Sequence, residues 1–415
     1  MTEQTRHCDD ETNTAAPMWP RAGSGSAWEV LIAFLRLGLT SFGGPVAHLG
    51  YFRAEFVVRR KWTDERSYAD LVALCQFLPG PASSQVGMAL GMQRAGWLGA
   101  LAAWAGFTLP SALALIAFAY GVTLDNALAS SGAVRGLKVV AVAVVAQAVW
   151  GMARTLCPDR IRAALAIGAS LLVLALPSAV SQVAVIVACG LAGAAWVKLA
   201  HEPAVTHAGY GVSRRAATVA LVAFALLLVG LPVVQAVAPL QWLAMVEGYY
   251  RAGALVFGGG HVVLPLLQST VVAPGWVGAD EFLAGYGAAQ AVPGPLFTFA
   301  AYLGAVAQGP LSGWFGGLAM LVAIFVPAAL LVLGALPFWD AWRQHAGARS
   351  TMAGVNAGVV GILLAALYDP VWTSAIHNRA DFALGLAAFG LLVVGRVSPA
   401  IVVGVTAFAG WALHA

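Results

Sequence analysis

Two short runs in this chain combine residues that could hold a small ion. Residues 36–45 read RLGLTSFGGP and residues 78–81 read LPGP. Gly43 or Gly44 can end one helix in a left-handed cap, and Pro45 suits the first position of the next. The residue before Pro79 is biased away from the helical region, and Pro81 can open the helix that follows. An opened helix offers free N–H donors and about half a positive charge. Ser83 and Ser84 place hydroxyls in the turn after Pro81, Gln76 an amide just before Pro79, and Arg36 a full positive charge. Clustered N–H and hydroxyl donors beside an arginine suit a small oxyanion. No carboxylate cluster stands near the motifs as a cation site would want. Glu55 and Asp70 are the nearest acids, both close to the ends of the flanking pieces.

Both runs recur. RAGALVFGGG at 251–260 repeats the first and VPGP at 292–295 the second. Arg251 stands before Gly258, Gly259 and Gly260 as Arg36 stands before Gly43, Gly44 and Pro45. Gln290 precedes Pro293, Gly294 and Pro295 as Gln76 precedes Pro79, Gly80 and Pro81. Thr298 supplies the matching hydroxyl. Trp62 and Trp276 fall at matching places between the motifs. Trp97 and Trp314, Pro110 and Pro327, and Gly136 and Gly354 continue the match. Kept order and spacing over a hundred residues indicate an internal duplication.

The elements that must carry these motifs are membrane helices. Of 415 residues, 60% are hydrophobic and 10% charged, and the mean hydropathy is +0.82. A soluble domain carries roughly 25% charged residues. Apolar runs of helical length recur at 97–124, 136–153, 161–177, 180–198, 216–238, 312–336, 354–368, 382–395 and 398–414. Such runs suit a hydrocarbon core of about 30 Å, and a β-barrel would alternate instead. Cys8, Cys75, Cys157 and Cys189 are scattered, with no metal or disulfide spacing. No basic block with interleaved aromatics points to nucleic acid.

The reading is an all-α polytopic protein in four parts. Residues 1–27 form a polar, disordered cytoplasmic tail and 28–200 the first repeat. Residues 201–244 hold a linker with an extra span, and 245–415 the second repeat. Each repeat begins with two pieces broken at the glycine–proline motifs. The pieces are about 16 residues, or about 24 Å as helix, too short for the core, so they read as re-entrant hairpins, with two short full spans each as the alternative. Four ordinary spans follow in each repeat. One extra span between equal halves inverts the second, and the charges agree with the positive-inside rule. Arg53, Arg59, Arg60, Lys61 and Arg66 lie between the first pair of broken pieces, while the matching stretch 268–281 has no Lys or Arg. Loop 125–134 has none, and its counterpart carries Arg343 and Arg349. The N-terminus is therefore expected in the cytoplasm and the C-terminus outside. Interrupted helices in matching places of inverted repeats are the usual pointer to a transporter's substrate site.

FGGP, its basic stretch and Trp62, then LPGP, FGGGH and VPGP in one duplicated chain resemble the chromate ion transporter family, of the two-domain, long-chain type. The resemblance covers residues 28–415. It implies a bacterial inner-membrane exporter of chromate with no cofactor, and sulfate as the chemically similar alternative. It carries over the motif positions Gly43, Gly44, Pro45, Pro79, Gly80, Pro81, Gly258, Gly259, Gly260, His261, Pro293, Gly294 and Pro295. Gly260 stands where FGGP has its proline, which weakens that helix start. The bilayer is the expected surrounding, and a homodimer stays open. An intramembrane enzyme would need a nucleophile or metal constellation, and neither HExxH nor GxSxG is present. His48 reads as a packed, hydrogen-bonded histidine; His261 stands equally as that or as a proton carrier. Gln76 and Gln290 read as hydrogen-bonding groups at the hairpins. Trp62, Trp97, Trp276 and Trp314 read as interface anchors.

Overall fold

Glycine and proline set the helix ends. The computed structural model describes residues 25–124, 132–176, 178–198, 212–257, 259–339 and 345–414. The N-terminal tail up to residue 24, most of the linker before Arg214, Arg343 and Gly258 lie outside the described residues. The first half opens with α1 (Ala27–Thr40), capped by the Ser26 hydroxyl. Next comes α2 (Gly44–Phe52), entered through Gly43 at φ 103° and with Pro45 in its first turn. It runs on as a π-helical turn, Arg53–Arg59. Helix α3 (Glu65–Phe77) is capped by Asp64, and α4 (Ala82–Leu124) is kinked at Ala95 and Gly96. Then follow α5 (Gly132–Leu156), α6 (Arg160–Ala175) and α7 (Ala179–Trp196). Helix α8 (Arg214–Val237) is the connector.

The second half repeats the order. It runs α9 (Gln241–Leu255), a 3₁₀ turn Gly260–Val262 into α10 (Val263–Val271), and α11 (Ala279–Ala289). A second 3₁₀ turn, Leu296–Thr298, leads into α12 (Phe299–Val306). Then come α13 (Gly313–Ala335), α14 (Ala346–Ala366), α15 (Arg379–Val393) and α16 (Pro399–His414). All four expected breaks are present, each between the two helices that the motif residues predict.

Helices α6, α7, α15 and α16 have 16, 18, 15 and 16 residues, each within one residue of the length of its apolar run at 161–177, 180–198, 382–395 or 398–414. At 1.5 Å per residue a 16-residue helix covers about 24 Å. Side-chain caps start three of them early: Asp159 on α6, Ser178 on α7 and Asn378 on α15. Five helices are long and apolar enough to cross a bilayer by themselves: Ala82–Val122, Gly132–Leu156, Arg214–Val237, Gly313–Phe338 and Gly347–Ala375. Connector α8 lies at the rim, with Val219, Leu226, Val229 and Val237 65–83% exposed.

The halves interlock. Helix α5 packs on α15 and α16 of the second half, and α14 packs on α6 and α7 of the first. Glycines allow the closest crossings. A Cβ on Gly136 would run into the carbonyl of Thr406, and one on Gly410 into that of Gly132. The equivalent pair behaves alike: a Cβ on Gly354 would meet the carbonyl of Cys189, and one on Gly193 that of Ser350, at 2.5 Å. Within each half the same device closes Gly91 on Gly99 and Gly304 on Gly316. Residues early in α5 meet residues late in α16, and residues early in α14 meet residues late in α7, so both pairs run antiparallel. Glycine-mediated approach is a common way for membrane helices to pack closely. A cross-half ion pair adds to it. Arg135 of α5 donates to both carboxylate oxygens of Asp381 in α15, at 3.0 and 2.8 Å.

Trp62 is not an interface anchor. It is 6% exposed, stacks on Phe56, and lies under the guanidinium groups of Arg60 and Arg94 at 5.5 and 5.3 Å. Arg94 reaches Glu29 at 3.1 Å and Arg60 reaches Glu55 at 2.6 Å. Burial works against the charge of Glu55, yet hydrogen bonds from Arg59 and Arg60 hold its carboxyl below the usual range. Trp97 and Trp314, by contrast, are about half exposed.

Gly136→Ala and Gly354→Ala should each lower the melting temperature of the purified protein by several degrees, since overpacking costs about 1–3 kcal/mol. Gly168→Ala, where a Cβ meets nothing within 4 Å, should leave it within about a degree in the same thermal scan.

Candidate functional site

The four broken helices meet, and they meet across the two halves. The Gly80 amide donates to the Val256 carbonyl at 2.7 Å, and the Gly294 amide donates to the Ser41 carbonyl at 2.9 Å. Gly80 and Gly294 are equivalent, and so are Ser41 and Val256. Each Pro-Gly-Pro turn is therefore bonded to the opposite half's glycine break. Gly80 sits at φ 120° and Gly294 at φ 91°, conformations that side chains resist. Their surroundings also leave little room. A Cβ on Gly80 would lie 3.0 Å from Ala328 Cβ, and one on Gly294 2.6 Å from the Ser111 hydroxyl.

The proline carbonyls are paired as well. Gln85 Nε2 donates to the Pro79 carbonyl at 2.8 Å, and the Ser111 hydroxyl donates to the Pro293 carbonyl. A Cβ on Gly260 would be 3.6 Å from Leu296 Cβ and 3.7 Å from Pro45 Cγ. Three helix openings, those of α2, of the turn before α10 and of the turn before α12, thus stand within van der Waals reach. Unpaired peptide groups in a bilayer cost several kcal/mol each, and these contacts supply partners to the broken backbone.

The histidines take different places. His48 is 1% exposed. Its Nε2 lies 3.2 Å from the Ser41 carbonyl and its Nδ1 3.4 Å from the Ser83 hydroxyl. Its ring stands edge-on to Phe107 at 5.2 Å, so it is a packed, bonded histidine. His261 Nδ1 lies 2.8 Å from the Tyr286 hydroxyl. Thr298 donates to the Pro295 carbonyl at 2.8 Å.

Other predicted residues stand apart from this junction. Arg36 is exposed on α1, beside the exposed Leu35 and Leu39. Arg251 pairs with Glu247 of its own helix at 3.1 Å. Gln76 is exposed on α3, and Gln290 Nε2 is buried without a partner among the described residues. Hydrogen bonds to the hairpin prolines are made instead by Gln85 and Ser111. A glutamine in the first turns of an apolar helix was the available signal for Gln85; a serine directly after Pro110 is a weaker one for Ser111. Glu247, on the helix that leads into the second glycine motif, is 8% exposed. Among the described residues no cluster of His, Cys, Asp and Glu could hold a metal ion.

Duplicated halves that interlock through broken helices define a multi-pass membrane protein. The sequence model described as Chromate transporter matches residues 28–194 and again 242–411, and the chain belongs to that family. It is 30% identical over 393 residues to a chromate transport protein of Pseudomonas aeruginosa, covering 92% of this chain and 91% of that one. It is 26% identical to a probable chromate transport protein of Synechococcus elongatus, with coverage of 86% and 87%. The chromate transport protein of Cupriavidus metallidurans is 25% identical, with 85% of each chain covered. No solved structure matches the chain.

Ser111→Ala should destabilise the protein by about 1–3 kcal/mol, because it leaves the Pro293 carbonyl buried and unpaired. Gly294→Ala should cost at least as much through strain and collision. Ser84→Ala, whose hydroxyl has no partner among the described residues, should be neutral in the same denaturation assay.

Proposed function

We propose that this protein exports chromate across the bacterial inner membrane as a secondary-active transporter, with the oxyanion bound where the four breaks meet. The observation that carries this reading is the pair of equivalent cross-half bonds, Gly80 to Val256 and Gly294 to Ser41. They gather the helix openings of both repeats into one place, and helix openings attract anions. The names of the long relatives supply the cargo. The binding residues are those of the motifs: Gly43, Gly44, Pro45, Pro79, Gly80, Pro81, Ser83 and Ser84, then Gly258, Gly259, Gly260, His261, Pro293, Gly294, Pro295 and Thr298. Gln290 completes the set, whereas Gln76, Arg36 and Arg251, which stand apart from the junction, are left out of it.

The two repeats, 28–200 and 245–415, lie in opposite orientation in this reading. Two short turns join α5 through α6 to α7, so α5 and α7 run the same way. Helix α14 runs against α7, and hence against its own counterpart α5. With the charge bias, this supports a cytoplasmic N-terminus and a periplasmic C-terminus. The energetics favour efflux. Moving one charge is worth about 2.3 kcal/mol per 100 mV, so a dianion leaving an inside-negative cell gains roughly 4.6 kcal/mol.

Everted vesicles holding the protein should take up labelled chromate, and empty vesicles should not. Sulfate uptake with no chromate flux would reverse the cargo. Arg36→Ala and Arg251→Ala should each keep chromate resistance at normal protein levels, and loss of resistance at normal levels in either would bring that arginine into the site. Reporter fusions should place the C-terminus outside; a cytoplasmic C-terminus contradicts the inverted arrangement.

A further inference from the structure

Resting on the transport reading, we infer that the oxyanion is held mainly by uncharged donors of the first half: the hydroxyls of Ser41, Ser84 and Thr108, beside the Gly294–Ser41 junction. These side chains are 0%, 2% and 0% exposed, and none of the three hydroxyls has a hydrogen-bond partner among the described residues. A buried hydroxyl without a partner costs free energy. Helical serines and threonines ordinarily avoid that cost by bonding back to a carbonyl four residues earlier, as Thr406 does to Val402. Ser84 and Thr108 are two exceptions, and with the unpartnered hydroxyl of Ser41 at the end of α1 they point to a ligand.

A chain of contacts draws the three together. The Ser41 carbonyl is bonded to Gly294 and to His48, and His48 reaches Ser83, next to Ser84. The turn carrying Phe107 and Thr108 packs edge-on against His48. Its backbone lies 3.0 Å from a Cβ built on Gly38 and 3.0 Å from one built on Gly294. A carbonyl only accepts, so His48 carries its proton on Nε2, and its Nδ1 accepts from Ser83. Ser83 is thereby occupied, whereas Ser84 is free to donate.

The repeat supplies an internal comparison. The positions equivalent to Ser41 and Thr108 are Val256 and Phe325, and Ser84 matches Thr298, whose hydroxyl is already spent on the Pro295 carbonyl. The duplicated scaffold thus keeps these three hydroxyls available in the first half, while their second-half counterparts are apolar or already bonded. The arginines do not offer an alternative inside the junction, since Arg36 is exposed and Arg251 is paired with Glu247. Neutral donors suit a carrier: they replace hydration without binding the dianion so tightly that it cannot leave.

The test is a series of Ser41→Ala, Ser84→Ala and Thr108→Val in proteoliposomes, read as KM and maximal rate for chromate. Chromate-induced thermal stabilisation is measured on the same samples. Each loss should raise KM about tenfold, the size of a lost hydrogen bond to a charge, with the ligand-free melting temperature unchanged. Thr108→Ser should restore wild-type KM. Thr406→Val, a buried hydroxyl with a partner, should not move it. Where an alanine variant does not fold, the cysteine variant, a weak donor of similar size, is read in its place and should show the same rise. KM values within twofold of wild type for all three positions overturn the assignment. If wild-type protein moves no chromate, the transport reading fails, and the stabilisation series alone decides the pocket: an unchanged chromate response across all three overturns it.

Discussion

A peptide group placed in hydrocarbon must find a hydrogen bond inside the protein. This chain interrupts four helices and meets that demand across its own duplication. Gly80 and Gly294 donate to the opposite half, while Gln85 and Ser111 close the remaining proline carbonyls. Neither half can complete its breaks alone. The exchange of α5 and α14 between the halves, with glycine crossings at Gly136–Gly410 and Gly193–Gly354, is the packing that holds those bonds in register.

The same constraint links fold to chemistry. Helices that stop within the bundle leave helix openings there, and openings carry N–H donors and partial positive charge. Helix ends buried together in a low-dielectric region would be costly for a cation and favourable for an anion. Transport additionally requires that the junction can change, and the halves are tied there by two backbone bonds and the Ser111–Pro293 bond. Small relative movements of the halves would break or remake those bonds without unfolding any helix.

The duplication and the four breaks were legible from a few residues, because glycine and proline act through their own backbone restrictions. The lengths of α6, α7, α15 and α16 were legible too, each within one residue of its apolar run. Within the site, the positions of Gly80 and Gly294 followed from the motifs. The partners did not. Gln85 and Ser111 bond a proline carbonyl in their own half and in the other half respectively, and nothing in their spacing shows it. Gln76 and Arg36 looked equivalent to Gln290 and Arg251 in sequence but face differently, since repeats preserve backbone and let side chains diverge. Trp62 shows the same limit: an aromatic beside basic residues reads as an anchor, and here it is packed between guanidiniums and Phe56.

The most direct measurement is the position of bound chromate in a density map of the purified protein, compared with a map recorded without it. The account predicts one added peak bounded by the turns at Ser41, Gly80, Gly260 and Gly294. Density only beside the exposed Arg36, or at a surface remote from all four breaks, would contradict it.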